Sequence, residues 1–170
     1  MNAAYLLTGS NIGDRASMLA QAREALGHTG NITKNSHIYE TEAWGLEGLP
    51  AHLNQALLLH TELSAVNLLH NIHDIENQLG RQRQLRWGVR SIDIDIIFFN
   101  EEIYELPHLI IPHPLMQERN FVLAPLAEIA PDYLHPVLHQ TVATLLSQCP
   151  DPLKVAIWTG PADRNGDHTA

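Results

Sequence analysis

Asp93 and Asp95 stand two residues apart in the stretch RWGVRSIDIDIIFF, Arg86 to Phe99. Ile92, Ile94 and Ile96 alternate with them, the period-2 pattern of a strand with two distinct faces. Asp is depleted in strands, and on one face two aspartates would have α-carbons about 6–7 Å apart. Such a pair fits a divalent cation site: Mg²⁺ takes one or two carboxylates, keeps waters and completes its shell with phosphate oxygens. Two ions held this way can straddle a polyphosphate. The plainer alternative is a half-buried strand whose polar face happens to carry two acids. Directly upstream, Arg81, Arg83, Arg86 and Arg90 fall within ten residues that contain no acid. Guanidinium groups suit carboxylate and phosphate and can stabilise charge on a transferring phosphoryl group. Arginines after a helix C-terminus are also favoured by its dipole alone.

The elements that must position these groups can be read from periodicity and caps. Ala4 to Thr8 predicts a strand, and Asp14 caps a helix to about Leu26 with Met18, Ala22 and Leu26 on one face. Thr33 to Thr41 predicts a second strand and Leu53 to Thr61 a third. Between them the Gly- and Pro-containing segment Glu42 to Ala51 predicts a loop. Ser64 caps a second helix with Leu68, Ile72, Ile75 and Leu79 aligned, and Gly80 ends it. The aspartate strand follows. This β-α-β-β-α-β order is the ferredoxin-like arrangement, so the expected class is α+β with helices on the faces of a mainly antiparallel sheet. C-terminal additions follow: a short strand pair around Ile103 and Leu109 to Ile111, helices near Phe121 to Glu128 and Thr141 to Ser147, and a strand within Lys154 to Trp158. Residues 1–160 are expected to form one domain, and 161–170 a flexible tail.

Composition narrows the function. A formal charge of −9 over 170 residues argues against a general nucleic-acid binder. Only Lys34 and Lys154 among ten basic residues are lysines, so positive charge is concentrated as Arg in one loop, as in a binder of a small anion. Cys149 is the sole cysteine, which excludes an internal disulfide and a thiolate zinc cluster. No signal peptide or membrane span is expected, and the expected location is cytoplasmic. His70/His73 and His135/His139 have ligand-like spacings without an obvious third ligand. TGSNIGDR resembles a phosphate-binding turn but lacks the Lys-Ser/Thr ending of a P-loop; its backbone is a candidate pocket lining.

GRQRQLRWGVRSIDIDIIFF followed by IPHPLMQERNFVLAPLAEIAP resembles the 6-hydroxymethyl-7,8-dihydropterin pyrophosphokinase family of folate biosynthesis. The likeness begins at GSNIGDR, passes through YETEAWG and HLNQAL, and ends near Pro136. It implies transfer of pyrophosphate from ATP to the pterin's hydroxymethyl oxygen, with AMP released and two Mg²⁺ held by Asp93 and Asp95. It implies that Arg81 and Arg90 engage phosphate during the reaction. Arg83 and Trp87 would close over the substrates, and His113 and Arg119 would line the nucleotide side, with Glu76 an acid near the nucleotide. Asn54 and Phe121 would bind the pterin, by amide pairing and stacking, with Thr41 and Trp44 at the rim. A monomer acting on ATP and the pterin, with no nucleic acid or membrane partner, is the expected assembly.

The chain departs from the family pattern at Val89, where a proline is common before the second Arg of the RWG motif. It departs also at His52, where an aromatic is common, and in the TEAWG loop with Glu42. Two other readings compete: a small two-metal nucleotidyltransferase, told apart by release of pyrophosphate instead of AMP, and a non-catalytic ferredoxin-like nucleotide-binding module.

Overall fold

A computed structural model describes residues 1–42, 51–80 and 91–160. Its centre is a pair of long antiparallel strands, β1 (Asn2–Ser10) and β4 (His52–Thr61), in unbroken register from Asn2↔Thr61 to Ser10↔Leu53. β5 (Asp93–Phe99) flanks β1. β2 (Asn31–Asn35) and β3 (Tyr39–Thr41) lie end to end along the other side of β4, and β8 (Val155–Ile157) pairs with β3. The order β5-β1-β4-β3-β8, all antiparallel, is the ferredoxin-like sheet extended by one C-terminal strand.

Helix α1 (Arg15–Leu26) starts at Asp14, whose carboxylate accepts from Ser17 N–H at 3.1 Å. Helix α2 (Ala65–Gly80) starts after Ser64, whose hydroxyl accepts from Asn67 N–H at 3.2 Å; both are the expected caps. The two helices bury Leu19, Leu26, Leu68 and Ile72 against Leu6, Leu57, Leu59, Ile94 and Ile96 on one face of the sheet. Alternation turns Leu7 and Ala56 to the other face, where they meet Val122, Leu123 and Leu126 of α3 (Asn120–Ile129) and Val142 and Leu145 of α4 (Val142–Ser147). A hairpin, β6 (Tyr104–Leu106) with β7 (Leu109–Ile111), follows β5; Ile103 precedes its first strand, exposed.

Two irregularities depart from the sequence reading. The strand expected over Thr33 to Thr41 is two strands, broken at Ser36. The Ser36 N–H donates to Ala56 O at 2.9 Å, but its hydroxyl, in place of a carbonyl, accepts from Ala56 N–H at 3.0 Å. Its carbonyl is turned to the Gln55 side-chain amide at 2.7 Å. A serine competing with the ladder in this way ends regular pairing. The second is a bulge in β5: Leu6 pairs with Ile96 and Tyr5 with Phe98, leaving Ile97 without a partner on β1. The bulge sends Ile97 and Phe98 into the same core, and Ile97 O accepts from His113 N–H at 3.1 Å. No helix among the described residues is long and apolar enough to cross a membrane.

Candidate active site

Register across the three central strands builds the site. Gly9, near the end of β1, pairs with Asn54 of β4 on one side and Asp93 of β5 on the other; two residues back, Leu7 pairs with Asp95. Asn54, Asp93 and Asp95 therefore stand in adjacent rows on the face that α3 covers. They line a cavity of about 180 Å³ with Gly9, Ser10, Asn11, His52, Arg119 and Phe121. Gly9 keeps this space open. A Cβ there would lie 2.6 Å from Asn54 Nδ2, so only a residue without a side chain lets the amide lie over the strand.

Asn54 is 5% exposed, and its Nδ2 donates to Thr8 O at 3.2 Å. That bond fixes the amide's orientation and leaves Oδ1 buried with no hydrogen-bond partner among the described residues. Thr41 Oγ1 is in the same condition, in an adjoining recess of about 120 Å³ lined by Thr41, Glu42, His52, Phe121 and Leu153. His52 and Phe121 line both spaces. Buried polar atoms without partners are uncommon in folded proteins. Two of them in adjoining recesses mark where a hydrogen-bonding ligand would satisfy the protein.

On the opposite side of the aspartates, His113 is held by the bond to the bulged Ile97. Burial holds its imidazole below the ordinary value of 6.5; nearby Asp95 opposes this and Arg119 reinforces it. Neutral at physiological pH, its ring is able to pair through hydrogen bonds but not as a fixed cation. Its Nδ1 is a further buried atom without a partner among the described residues. The Arg119 guanidinium sits 5.7 Å from the Phe121 ring centroid. The Asp151 carboxylate accepts from Asn120 N–H at 3.0 Å and so fixes the start of α3, which carries Phe121. Glu76, in the last turns of α2, accepts from Ile94 N–H at 3.0 Å, the peptide between the two aspartates.

Asn54, Thr41, Phe121, Asp93, Asp95, His113 and Arg119 are thus gathered at one end of the sheet, while Glu76 reaches the same strand from the opposite face. Trp44, Arg81, Arg83, Trp87, Arg90 and the Val89 departure lie outside the described residues. Sequence reasoning did not find Asp151 or Leu153. They belong to a segment past the recognisable motifs, and nothing in their residue types signals a wall of a pocket. Among the described residues no group of three or more His, Cys, Asp or Glu could hold a metal ion. Two adjacent carboxylates with only oxygen to offer fit a hard cation that draws its remaining ligands from water and phosphate, so Asp93 and Asp95 are the pair that could hold one.

Residues 5–131 match the family model of 7,8-dihydro-6-hydroxymethylpterin-pyrophosphokinase. The chain is 50% identical over 130 residues to the 2-amino-4-hydroxy-6-hydroxymethyldihydropteridine pyrophosphokinase of Bacillus subtilis, covering 75% of this chain and 78% of that one. It is 40% identical over 137 residues to the enzyme of the same name from Aquifex aeolicus, covering 81% and 86%. The folic acid synthesis protein FOL1 of Dictyostelium discoideum is 39% identical over 150 residues, 88% of this chain but 23% of that larger protein. Among solved structures, a Plasmodium falciparum HPPK-DHPS chain superposes with a TM-score of 0.69 at 18% identity, over 86% of this chain and 43% of its own length. That likeness bears on fold alone, and this chain spans less than half of it. From the family match and the bacterial relatives together, the chain belongs to the 7,8-dihydro-6-hydroxymethylpterin pyrophosphokinase family.

Proposed function

We infer that the chain transfers the β,γ-pyrophosphoryl group of ATP to the hydroxymethyl oxygen of 6-hydroxymethyl-7,8-dihydropterin in folate biosynthesis. The observation that carries this reading is the pair of orphaned acceptors, Asn54 Oδ1 and Thr41 Oγ1, in recesses that share Phe121, beside two carboxylates. The pterin edge donates N–H groups to Asn54 while the ring stacks on Phe121; Thr41 and Trp44 form the rim. The hydroxymethyl oxygen attacks the β-phosphorus and loses its proton. The bond from that phosphorus to the α–β bridging oxygen breaks, and AMP leaves with the oxygen. Asp93 and Asp95 would hold two Mg²⁺, which would supply charge neutralisation for the phosphates. His113 and Arg119 bind the nucleotide together with Arg83, Trp87 and Arg90, and Arg81 and Arg90 meet the charge that shifts during transfer.

The same reading takes the protein as a monomer with residues 1–160 as its catalytic domain. A reaction that consumes ATP suits the cytoplasm.

Product analysis tests the reading. Purified protein with ATP, Mg²⁺ and the hydroxymethyldihydropterin should yield AMP one-for-one with a pterin diphosphate, and neither when one substrate is omitted. Pyrophosphate in place of AMP would mean nucleotidyl transfer, and no nucleotide product would leave a binding module. Asp95→Asn should lower turnover about a hundredfold or more with the fold intact by circular dichroism; a near-normal rate would remove the metal assignment.

A further inference from the structure

Asp93 and Asp95 are useful only if their separation is fixed, since a metal constellation has to be held within about 0.5 Å of its working geometry. The strand that carries them is poorly suited to this by itself. β5 is the terminal strand of the sheet order. Its partner opposite Asp93 is Gly9, the most permissive backbone residue, and its register slips just beyond Asp95, at the Ile97 bulge. Ladder bonds to β1 alternate along an antiparallel strand, so the peptide N–H of Ile94, between the two aspartates, points away from β1. It is met there by Glu76, at 3.0 Å.

We propose that Glu76 is a positioning residue for the aspartate pair: its carboxylate, by accepting the Ile94 N–H, locks the peptide plane that sets the spacing of Asp93 and Asp95. It acts as a hydrogen-bond acceptor from the helix side, not as a charge offered to nucleotide or cation. The proposal rests on the reading of Asp93 and Asp95 as the metal carboxylates. It refines the placement of Glu76 on the nucleotide side: the influence travels through β5. Because Glu76 lies in the last turns of α2, whose end leads into the arginine segment 81–90, the same contact ties the helix before that segment to the strand after it.

The test compares Glu76→Ala with Glu76→Gln, whose amide oxygen keeps an acceptor without the charge. Two readouts are independent of turnover: hydrogen exchange at the Ile94 amide, and Mn²⁺ affinity by electron paramagnetic resonance in the presence of α,β-methylene-ATP. Glu76→Ala should speed exchange at Ile94 and weaken Mn²⁺ binding about 10–100-fold, as loss of an outer-shell partner does. Glu76→Gln should stay within a small factor of the parent in both. Equal damage in the two variants would show that charge matters and overturn the proposal. So would unchanged exchange at Ile94, or unchanged Mn²⁺ affinity, in Glu76→Ala. Asp95→Asn is the control: lost Mn²⁺ binding there with none lost in Glu76→Ala overturns the positioning role alone. Parent-like Mn²⁺ binding in Asp95→Asn overturns the metal reading, and the proposal with it.

Discussion

At the scale of single residues, the site depends on an atom that is absent. Gly9 has no Cβ, and the Asn54 amide occupies the space a Cβ would contest at 2.6 Å. A methyl group there must push the amide aside, since the side-chain end yields more readily than the β1–β4 ladder. The bond from Nδ2 to Thr8 O is then lost, and Oδ1 no longer faces the cavity as the proposed pterin contact requires. Gly9→Ala should therefore raise KM for the pterin about tenfold, the cost of roughly one hydrogen bond, with KM for ATP little changed. Steady-state kinetics with each substrate varied in turn checks this; an unchanged pterin KM would remove the Asn54 oxygen from recognition. The aspartates were legible in the sequence because two acids on one strand face violate ordinary strand composition. Asn54, Thr41 and His113 break no such rule. A lone polar residue in a strand or before a proline has many ordinary explanations, so family resemblance alone singled these out, and it takes the strand register and the His113–Ile97 bond to bring them to one end of the sheet.

At the scale of elements, the order and both helix caps were readable because they rest on local signals: apolar period, Asp14, Ser64. What escaped was where side chains interrupt the ladder. Ser36 splits one expected strand because its hydroxyl replaces a carbonyl, and the bulge at Ile97 hides in an unbroken apolar run, IIFF, that has no period to read. Equally hidden is the clamp between α3 and β3. The Glu128 carboxylate accepts from Tyr39 Oη at 2.7 Å and from His37 N–H and Nδ1 at 3.0 Å each. Burial works against its charge, but the Tyr39 and His37 hydrogen bonds outweigh burial and hold its pKa below the ordinary 4.5. The same contact helps push the Tyr39 hydroxyl, already raised by burial, up to about 12. Since α3 carries Phe121, this clamp helps hold the Phe121 ring where it lines the cavity. Glu128→Ala should cost about 1–2 kcal/mol in urea unfolding at neutral pH and raise the pterin KM more than the ATP KM. Equal stability in the variant would mean that the three bonds merely replace water.

At the scale of the whole molecule, the sheet divides the work: one face is sealed by α1 and α2, and the other is sealed by α3 and α4 up to the row where the cavity opens. Part of the second seal comes from residues beyond 131, outside the family match, where motif reading offers least. His135 is its pivot. It is 4% exposed, packs edge-on to Phe98 at 5.6 Å between ring centroids, and accepts the Val137 and Leu138 N–H groups on Nδ1 at 3.1 and 3.0 Å. Protonation of Nδ1 would break both bonds. Burial, with His139 adding to it, lowers its pKa from the ordinary 6.5, so the folded state resists the proton that the unfolded chain accepts. Above pH 6.5 both states are neutral and this residue adds no pH dependence. As pH falls below 6.5 the unfolded state binds the proton first, and stability declines by up to about 1.4 kcal/mol per unit until the folded pKa is passed. Glu128 acts in a separate window: its contribution is complete above the ordinary 4.5 and is lost as pH falls through its depressed folded value. Urea unfolding between pH 7.5 and 5 should therefore show a downward slope that begins near 6.5. His135→Asn, whose side-chain oxygen can accept the same N–H groups, should be less stable at pH 7.5 by about 1–3 kcal/mol from lost packing, yet flatter across that interval. A variant as steep as the parent would assign the slope to another of the histidines and reduce His135 to a packing residue.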